Sequence, residues 1–214
     1  MSFQARLPVL LSVSFVVLIS IFSGRRLSAM PGDLAAALGV VVLLYLAWLF
    51  IESRVAVREL SKEKTKIDRG TLELYAAGRA VTVLSALALP TAWDRIGLWY
   101  PIGLAVFVAG VTFRLVAIRV LGRFYSHRVR IDDSHQIVQH GPYRFLRHPA
   151  YTGMIVAHVG FVVCFFHPVS LAILLCFFIP AVVLRIRVEE RALFALRGYA
   201  EYAKTRKRLI PAVW

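Results

Sequence analysis

Acidic residues are scarce in this sequence: 12 Asp and Glu stand among 214 residues, and charged residues of both signs make up only 18% of the chain. A soluble nucleic-acid-binding domain carries its charge in a sequence rich in charged residues, so the net +14 contributed by 26 Lys and Arg belongs with another kind of partner. Cysteine is scarcer still. Cys164 and Cys176 both lie in apolar runs without CxxC spacing, which argues against a disulfide framework and a thiolate zinc site. Neither GxGxxG nor a P-loop occurs, against a Rossmann or ATP-driven module, and there is no internal repeat or low-complexity tract.

What the sequence has in quantity is apolar surface, 59% of its residues. Leu7 to Gly24, Leu34 to Ile51 and Ile96 to Phe113 are each 18 residues without a charge, and Leu74 to Trp93 is 20 residues with only Arg79 inside. About 20 apolar residues cross a hydrocarbon core as a helix. Pro149 to Leu184 runs 36 residues without Asp, Glu, Lys or Arg, too long for one crossing and right for two around a turn at His167-Pro168. Lipid offers backbone amides no partners and nothing alternates like a barrel strand, so the segments are helices. The first run exceeds a ~7–15-residue signal-peptide core and is read as retained. The expectation is an all-α integral membrane protein of about six transmembrane helices in a single domain, 1–214, with 1–110 mainly scaffold and chemistry in 110–214.

Six spans place both termini on one side. That side, holding the N-terminus, the 52–70 and 119–148 loops and the tail from Arg185, collects 21 of the 26 Lys and Arg residues, and the other only Arg25, Arg26 and Arg95. The asymmetry predicts a cytoplasmic loaded face, in contact with anionic lipid headgroups. The linker from Glu52 to Gly70 mixes six basic and four acidic residues and reads as a solvated or headgroup-skimming helix rather than a site.

Unusual polar residues concentrate in the C-terminal half. His127, His135, His140 and His148 are spaced 8, 5 and 8 apart, not the helical pairs of usual zinc sites, so no metal is expected and some of them line a cofactor pocket or sit among headgroups. An arginine in a span costs ~2.5 kcal/mol or more at its centre and calls for a partner. Arg79, nine residues past Gly70 and hence ~13 Å deep, should face the bundle interior as an ion pair or pocket residue. Arg114, near the end of its span, either does the same or snorkels. Arg185 and Glu189, and Arg187 and Glu190, stand at helical pairing distances, giving either an exposed ladder of about 0.5 kcal/mol a pair or a place to hold a polar cofactor at the membrane surface.

The run Gly141-Pro142-Tyr143-Arg144-Phe145-Leu146-Arg147-His148-Pro149-Ala150-Tyr151-Thr152-Gly153 resembles the G-x-Y-x-x-x-R-H-P-x-Y-x-G signature of the isoprenylcysteine carboxyl methyltransferase family. So do the preceding His135-Gln136-Ile137-Val138, the Glu189-Glu190 pair after an arginine-bearing helix end, and Tyr199-x-x-Tyr202 followed by Pro211. The likeness covers about Gly110 to Trp214. Gly198 directly precedes Tyr199 where the family places two residues between, implying a tail helix about two residues short.

The resemblance implies an integral-membrane methyltransferase that uses S-adenosylmethionine without a Rossmann fold. It carries the family's cofactor pocket onto His127, His135, Gln136, Val138, Gly141, Tyr143, Arg147, His148, Pro149, Tyr151, Gly153, Glu189, Glu190 and Tyr202. Arg114, Arg185 and Glu190 take the catalytic positions, and a lipid-like substrate enters from the bilayer. Methyl transfer from a sulfonium to a carboxylate annihilates opposite charges, so a dry site and positioning supply the rate and no strong base is needed. Arg114 suits bidentate orientation of that carboxylate. Glu190 suits the cofactor's ammonium or sulfonium, Arg147 or Arg185 its carboxylate, and Tyr143 or Tyr151 its adenine. Alternatives are a phospholipid amine or a small thiol as acceptor, with His127 or Glu190 as base. Beyond methyl transfer stand an NADPH-dependent sterol-type reductase, whose family shares an R-H-P-x-Y-x-G-like run, and a non-enzymatic binder of anionic lipid.

Overall fold

The computed structural model describes residues 3–59, 70–126, 137–211 and 214, and every regular element among them is helical. The chain forms α1 (Phe3–Ser28), α2 (Gly32–Glu59), α3 (Thr71–Ala88), α4 (Trp99–Leu121), α5 (Pro149–Cys164), α6 (Pro168–Ile173), α7 (Ile179–Leu193) and the short α8 (Tyr199–Thr205). A π-helical segment, Leu174–Phe178, joins α6 to α7, so Pro168 to Leu193 is one continuous rod. Among the described residues, four stretches are long and apolar enough to cross a membrane: Leu10–Ser28, Gly32–Arg54, Trp99–Phe124 and Pro168–Leu193. α5 is a shorter apolar helix, and α3, 18 residues carrying Glu73 and Arg79, is not among the four.

Two boundaries differ from the sequence reading for local reasons. The third apolar run was expected to Trp93, but α3 stops at Ala88 because Pro90 forces Leu89 into an extended conformation (φ −86°, ψ 150°). The fourth helix begins at Trp99 and continues past Arg114 to Leu121, which puts that arginine two turns inside the helix and 2% exposed. The turn between α5 and α6 falls where His167-Pro168 predicted it, the His167 Nδ1 accepting from the Val169 amide at 3.2 Å.

α4 and α5 pack at backbone contact, which glycines on both helices permit. A Cβ on Gly153 would lie 2.6 Å from the Arg114 nitrogen, and one on Gly103 would lie 2.7 Å from the Cys164 Sγ. With no hydrophobic gain in bringing two apolar helices together in lipid, such close approach is the main source of association. The buried core includes Leu38, Val41, Tyr45 and Trp48 of α2, Val83 and Leu87 of α3, Phe107 of α4 and Met154, Ala157 and Phe161 of α5. Many of the large apolar side chains outside it, among them Leu11, Val17 and Ile21 of α1 and Leu43 and Phe50 of α2, are exposed, as lipid-facing surfaces are.

The chain then returns across its own motif run. Leu146 pairs with Lys207 in an isolated parallel bridge, the Arg147 amide donates to the Lys207 carbonyl at 2.8 Å, and the His148 amide donates to Arg208 at 3.0 Å. Thr152 Oγ1 donates to the Leu209 carbonyl at 2.8 Å, so residues 207–209 strap the start of α5.

Candidate active site

The 137–148 segment, the turn after α4 and parts of α3, α4, α5, α7 and α8 enclose a cavity with about 1020 Å³ of atom-free space, part of it open to solvent. Arg114, Arg147, Arg185 and Glu189 line it together with Tyr75, Tyr143, Tyr151, Tyr199 and Tyr202. The wall is thus aromatic, with three cations and one carboxylate.

Each of the three arginines is placed by a different element. Arg114 projects from α4. Its Nε donates to Glu52, its Nη1 to the Ala150 carbonyl at 3.0 Å and its Nη2 to the Tyr125 hydroxyl at 3.1 Å. Arg185, 1% exposed on α7, donates from Nη1 to Thr71 Oγ1 at 3.1 Å. Arg147 precedes α5, and its Nη1 stands 2.7 Å from Glu190 Oε1.

Of the sequence-predicted residues, Val138, Tyr143, Arg147, His148, Tyr151, Glu189, Tyr202, Arg114 and Arg185 all reach the cavity wall. Gly141, Pro149, Gly153 and Glu190 do not line it. Gly141 adopts φ +59° at the turn into the motif run, where a side chain would press on Val120; Pro149 starts α5; and Gly153 lets α4 approach. His127, His135 and Gln136 lie outside the described residues.

The carboxylate pair divides its work differently from the expectation that Glu190 faces the ligand and from the simple i, i+3 ladder. Successive helical residues point about 100° apart, so when one faces the cavity its neighbour cannot. Glu189 faces it and accepts from the Tyr151 hydroxyl at 2.9 Å. Glu190, 3% exposed, lies behind the wall, where Arg147, His148 Nε2 (3.1 Å) and Arg208 Nε (2.8 Å) converge on it. Glu190 therefore fixes two side chains of the motif run and the strap at once.

Tyr202 donates to the carbonyls of Tyr143 (2.8 Å) and Leu146 (3.2 Å), clamping the motif run to α8. Burial pushes its phenol up to about 12, so it holds its proton for this role at any physiological pH. Burial also raises Tyr143 and Tyr199, helped by the Glu189 and Glu190 charges nearby.

Sequence reasoning missed Glu52, assigned to a solvated linker. It is 6% exposed at the cytoplasm-assigned end of α2 and accepts from Trp48 Nε1 at 2.8 Å, Arg79 Nη1 at 3.4 Å and Arg114 Nε. The signal was present: two arginines in spans require an acidic partner at membrane depth, and few exist. Arg79 does face the interior, donating also to the Tyr45 hydroxyl at 3.0 Å. Tyr75, Tyr125 and Arg208 went unremarked because nothing local distinguishes them.

Residues 102–195 match the model of the isoprenylcysteine carboxyl methyltransferase (ICMT) family. A probable protein-S-isoprenylcysteine O-methyltransferase of Oryza sativa is 36% identical over 111 residues, covering 48% of this chain and 56% of the relative. Protein-S-isoprenylcysteine O-methyltransferase A of Arabidopsis thaliana is 34% identical over 115 residues, 52% of this chain and 58% of the relative, and the Saccharomyces cerevisiae enzyme is 31% identical over 105 residues, 47% and 44%. The matches thus span about half the length of these curated relatives. The solved structure of a eukaryotic intramembrane Ras methyltransferase ICMT superposes with a TM-score of 0.56 at 19% identity, covering 94% of this chain and 75% of that one, so the two share a fold beyond the matched segment. Cavity, motif run and carboxylate pair sit within or against residues 102–195, the stretch that matches the ICMT family model.

Proposed function

We propose that this protein is a membrane-embedded methyltransferase that transfers the methyl group of S-adenosylmethionine to the carboxylate of a prenylcysteine-like acceptor reaching the cavity from the bilayer. The observation that carries the reading is the cavity wall: three arginines, one carboxylate and a group of tyrosines, built largely from the family-matched segment. The residues fit a zwitterionic, aromatic cofactor. Three buried polar atoms at this wall, Arg147 Nε, Tyr75 Oη and Tyr199 Oη, have no hydrogen-bond partner among the described residues, and a buried group left unpaired costs about 1–3 kcal/mol unless a ligand supplies one.

S-adenosylmethionine supplies an electrophilic methyl on a cationic sulfur. Glu189 offers negative charge to its cationic parts, Arg147 a donor to its carboxylate, and Tyr143 or Tyr151 a face to its adenine. Arg114 and Arg185 hold positive charge where the acceptor carboxylate is to be oriented. An ionised carboxylate needs no base, and the phenols around it keep their protons. Charge is lost as the carboxylate attacks, so keeping bulk water from the reacting groups favours the reaction over the same step in water. The membrane supplies an acceptor already confined to the bilayer, and the basic face is assigned to the cytoplasm beside anionic headgroups. The matches lend nothing to the reductase or lipid-binder readings.

Heat unfolding of the detergent-solubilised chain tests the cofactor. S-adenosylhomocysteine at 100 times its dissociation constant should stabilise by ~2.7 kcal/mol, while NADPH should not. Protection by NADPH alone would sink the reading. With a carboxylate acceptor, the turnover rate should be flat above the acceptor's own pKa, where an amine or thiol would make it climb with pH.

A further inference from the structure

Glu52 stands on α2, outside the family-matched residues, and no part of the motif run points to it. Resting on the methyl-transfer reading, we infer that Glu52 is the positioning residue of Arg114: it occupies the Nε edge of the guanidinium so that the terminal end is what the acceptor carboxylate meets.

The donor geometry leads there. Arg114 commits one N–H from each of its nitrogens: Nε to Glu52, Nη1 to the Ala150 carbonyl, and Nη2 to the Tyr125 hydroxyl. One N–H remains on each terminal nitrogen, so the terminal end still has two donors to offer a carboxylate. Without an acceptor on Nε the flexible arginine could turn another edge to the cavity. The Glu52 carboxylate is itself fixed from two more directions, by Trp48 Nε1 at 2.8 Å and Arg79 Nη1 at 3.4 Å. Arg79 is held in turn over the Trp48 ring, 4.6 Å from its centroid, and by the Tyr45 hydroxyl, which lies 3.3 Å from His158 Nε2. Side chains of α2, α3 and α5 thus converge on the orientation of one group on α4.

Charge points the same way. Among the described residues, Glu52 is one carboxylate facing two guanidinium groups, Arg79 and Arg114, an excess of one positive charge over the three in a low-dielectric interior. An arriving acceptor carboxylate neutralises it, whereas an acidic partner dedicated to Arg114 alone would have cancelled the attraction.

The test is steady-state kinetics of the full chain in lipid vesicles with S-adenosylmethionine and a farnesylated cysteine bearing a free carboxylate. Glu52→Gln keeps the shape and one hydrogen bond but not the charge. Its kcat should fall about 10- to 100-fold, the scale of misplacing a reacting partner by roughly an ångström. KM for the acceptor should stay level or drop, since an extra positive charge still attracts it. Glu52→Asp should recover part of kcat, S-adenosylhomocysteine affinity should stay within about twofold, and Arg54→Ala, exposed on the same helix, should behave as wild type. A Glu52→Gln kcat within about twofold of wild type overturns the inference. So does a loss that follows cofactor affinity and melting temperature together and is not relieved by aspartate, because that is the signature of a structural ion pair. An inactive wild-type chain would instead overturn the methyl-transfer reading and this inference with it.

Discussion

At the scale of residues, charge at membrane depth carries the account. Glu190 gathers Arg147, His148 and Arg208 while almost wholly buried, so replacing it leaves cations facing each other without an anion. Glu190→Gln should cost on the order of 3 kcal/mol, the low end for losing one partner of a buried pair because Arg208 is 31% exposed, and should abolish turnover; thermal unfolding and methyl-transfer rate read the two effects. Lys204→Ala removes an exposed pair with Glu201 and should change neither. Tyr202 gives a pH prediction. Its folded-state pKa of about 12 lies above the ordinary value of 10, so its contribution is complete below pH 10 and is lost as pH rises toward 12, where the unfolded chain ionises first. The melting temperature should fall across that window, and Tyr202→Phe, already lacking the hydroxyl's two hydrogen bonds, should fall less steeply.

At the scale of elements, the apolar runs could be read as helices because lipid leaves the backbone no other choice, and the positions of α1, α2, α4 and the α5–α6 turn follow from that alone. Contacts between elements were hidden. Glu52 sits in a linker that looks solvated when read along the chain, and only Arg79 and Arg114, 27 and 62 residues away, show why it is buried. The motif run located the cavity, yet which of Glu189 and Glu190 faces it depends on the rotation of α7 against α5. The strap of residues 207–209 was invisible because it is laid down through backbone bonds to Arg147 and His148, which any residue could make. Gly153 looked like a ligand contact and proves to be a packing contact: Gly153→Leu should separate α4 from α5, destabilise by about 1–3 kcal/mol and displace Arg114, seen as a lower melting temperature together with weaker turnover.

For the whole molecule, we propose that the excess of basic residues is an orientation signal before it is a binding signal. Few of the 26 line the cavity, and the positive-inside expectation puts most of the others on one side of the membrane. The orientation is checked by single cysteines placed at Arg95 and Lys204 in a chain whose Cys164 and Cys176 are replaced by alanine. A membrane-impermeant thiol reagent added outside intact cells should label position 95 and not 204; the reverse pattern would invert the topology. On the proposed orientation a water-soluble cofactor would arrive from the cytoplasm and a greasy acceptor from the bilayer. The measurement that bears most directly on this is incubation of the membrane-inserted chain with S-adenosylmethionine labelled in its methyl group and a panel of a farnesylated cysteine, phosphatidylethanolamine and a small thiol. The account predicts label on the farnesylated cysteine alone, released by mild base as methanol because it is held as an ester; base-stable label on the amine or thiol, or none on any acceptor, would contradict it.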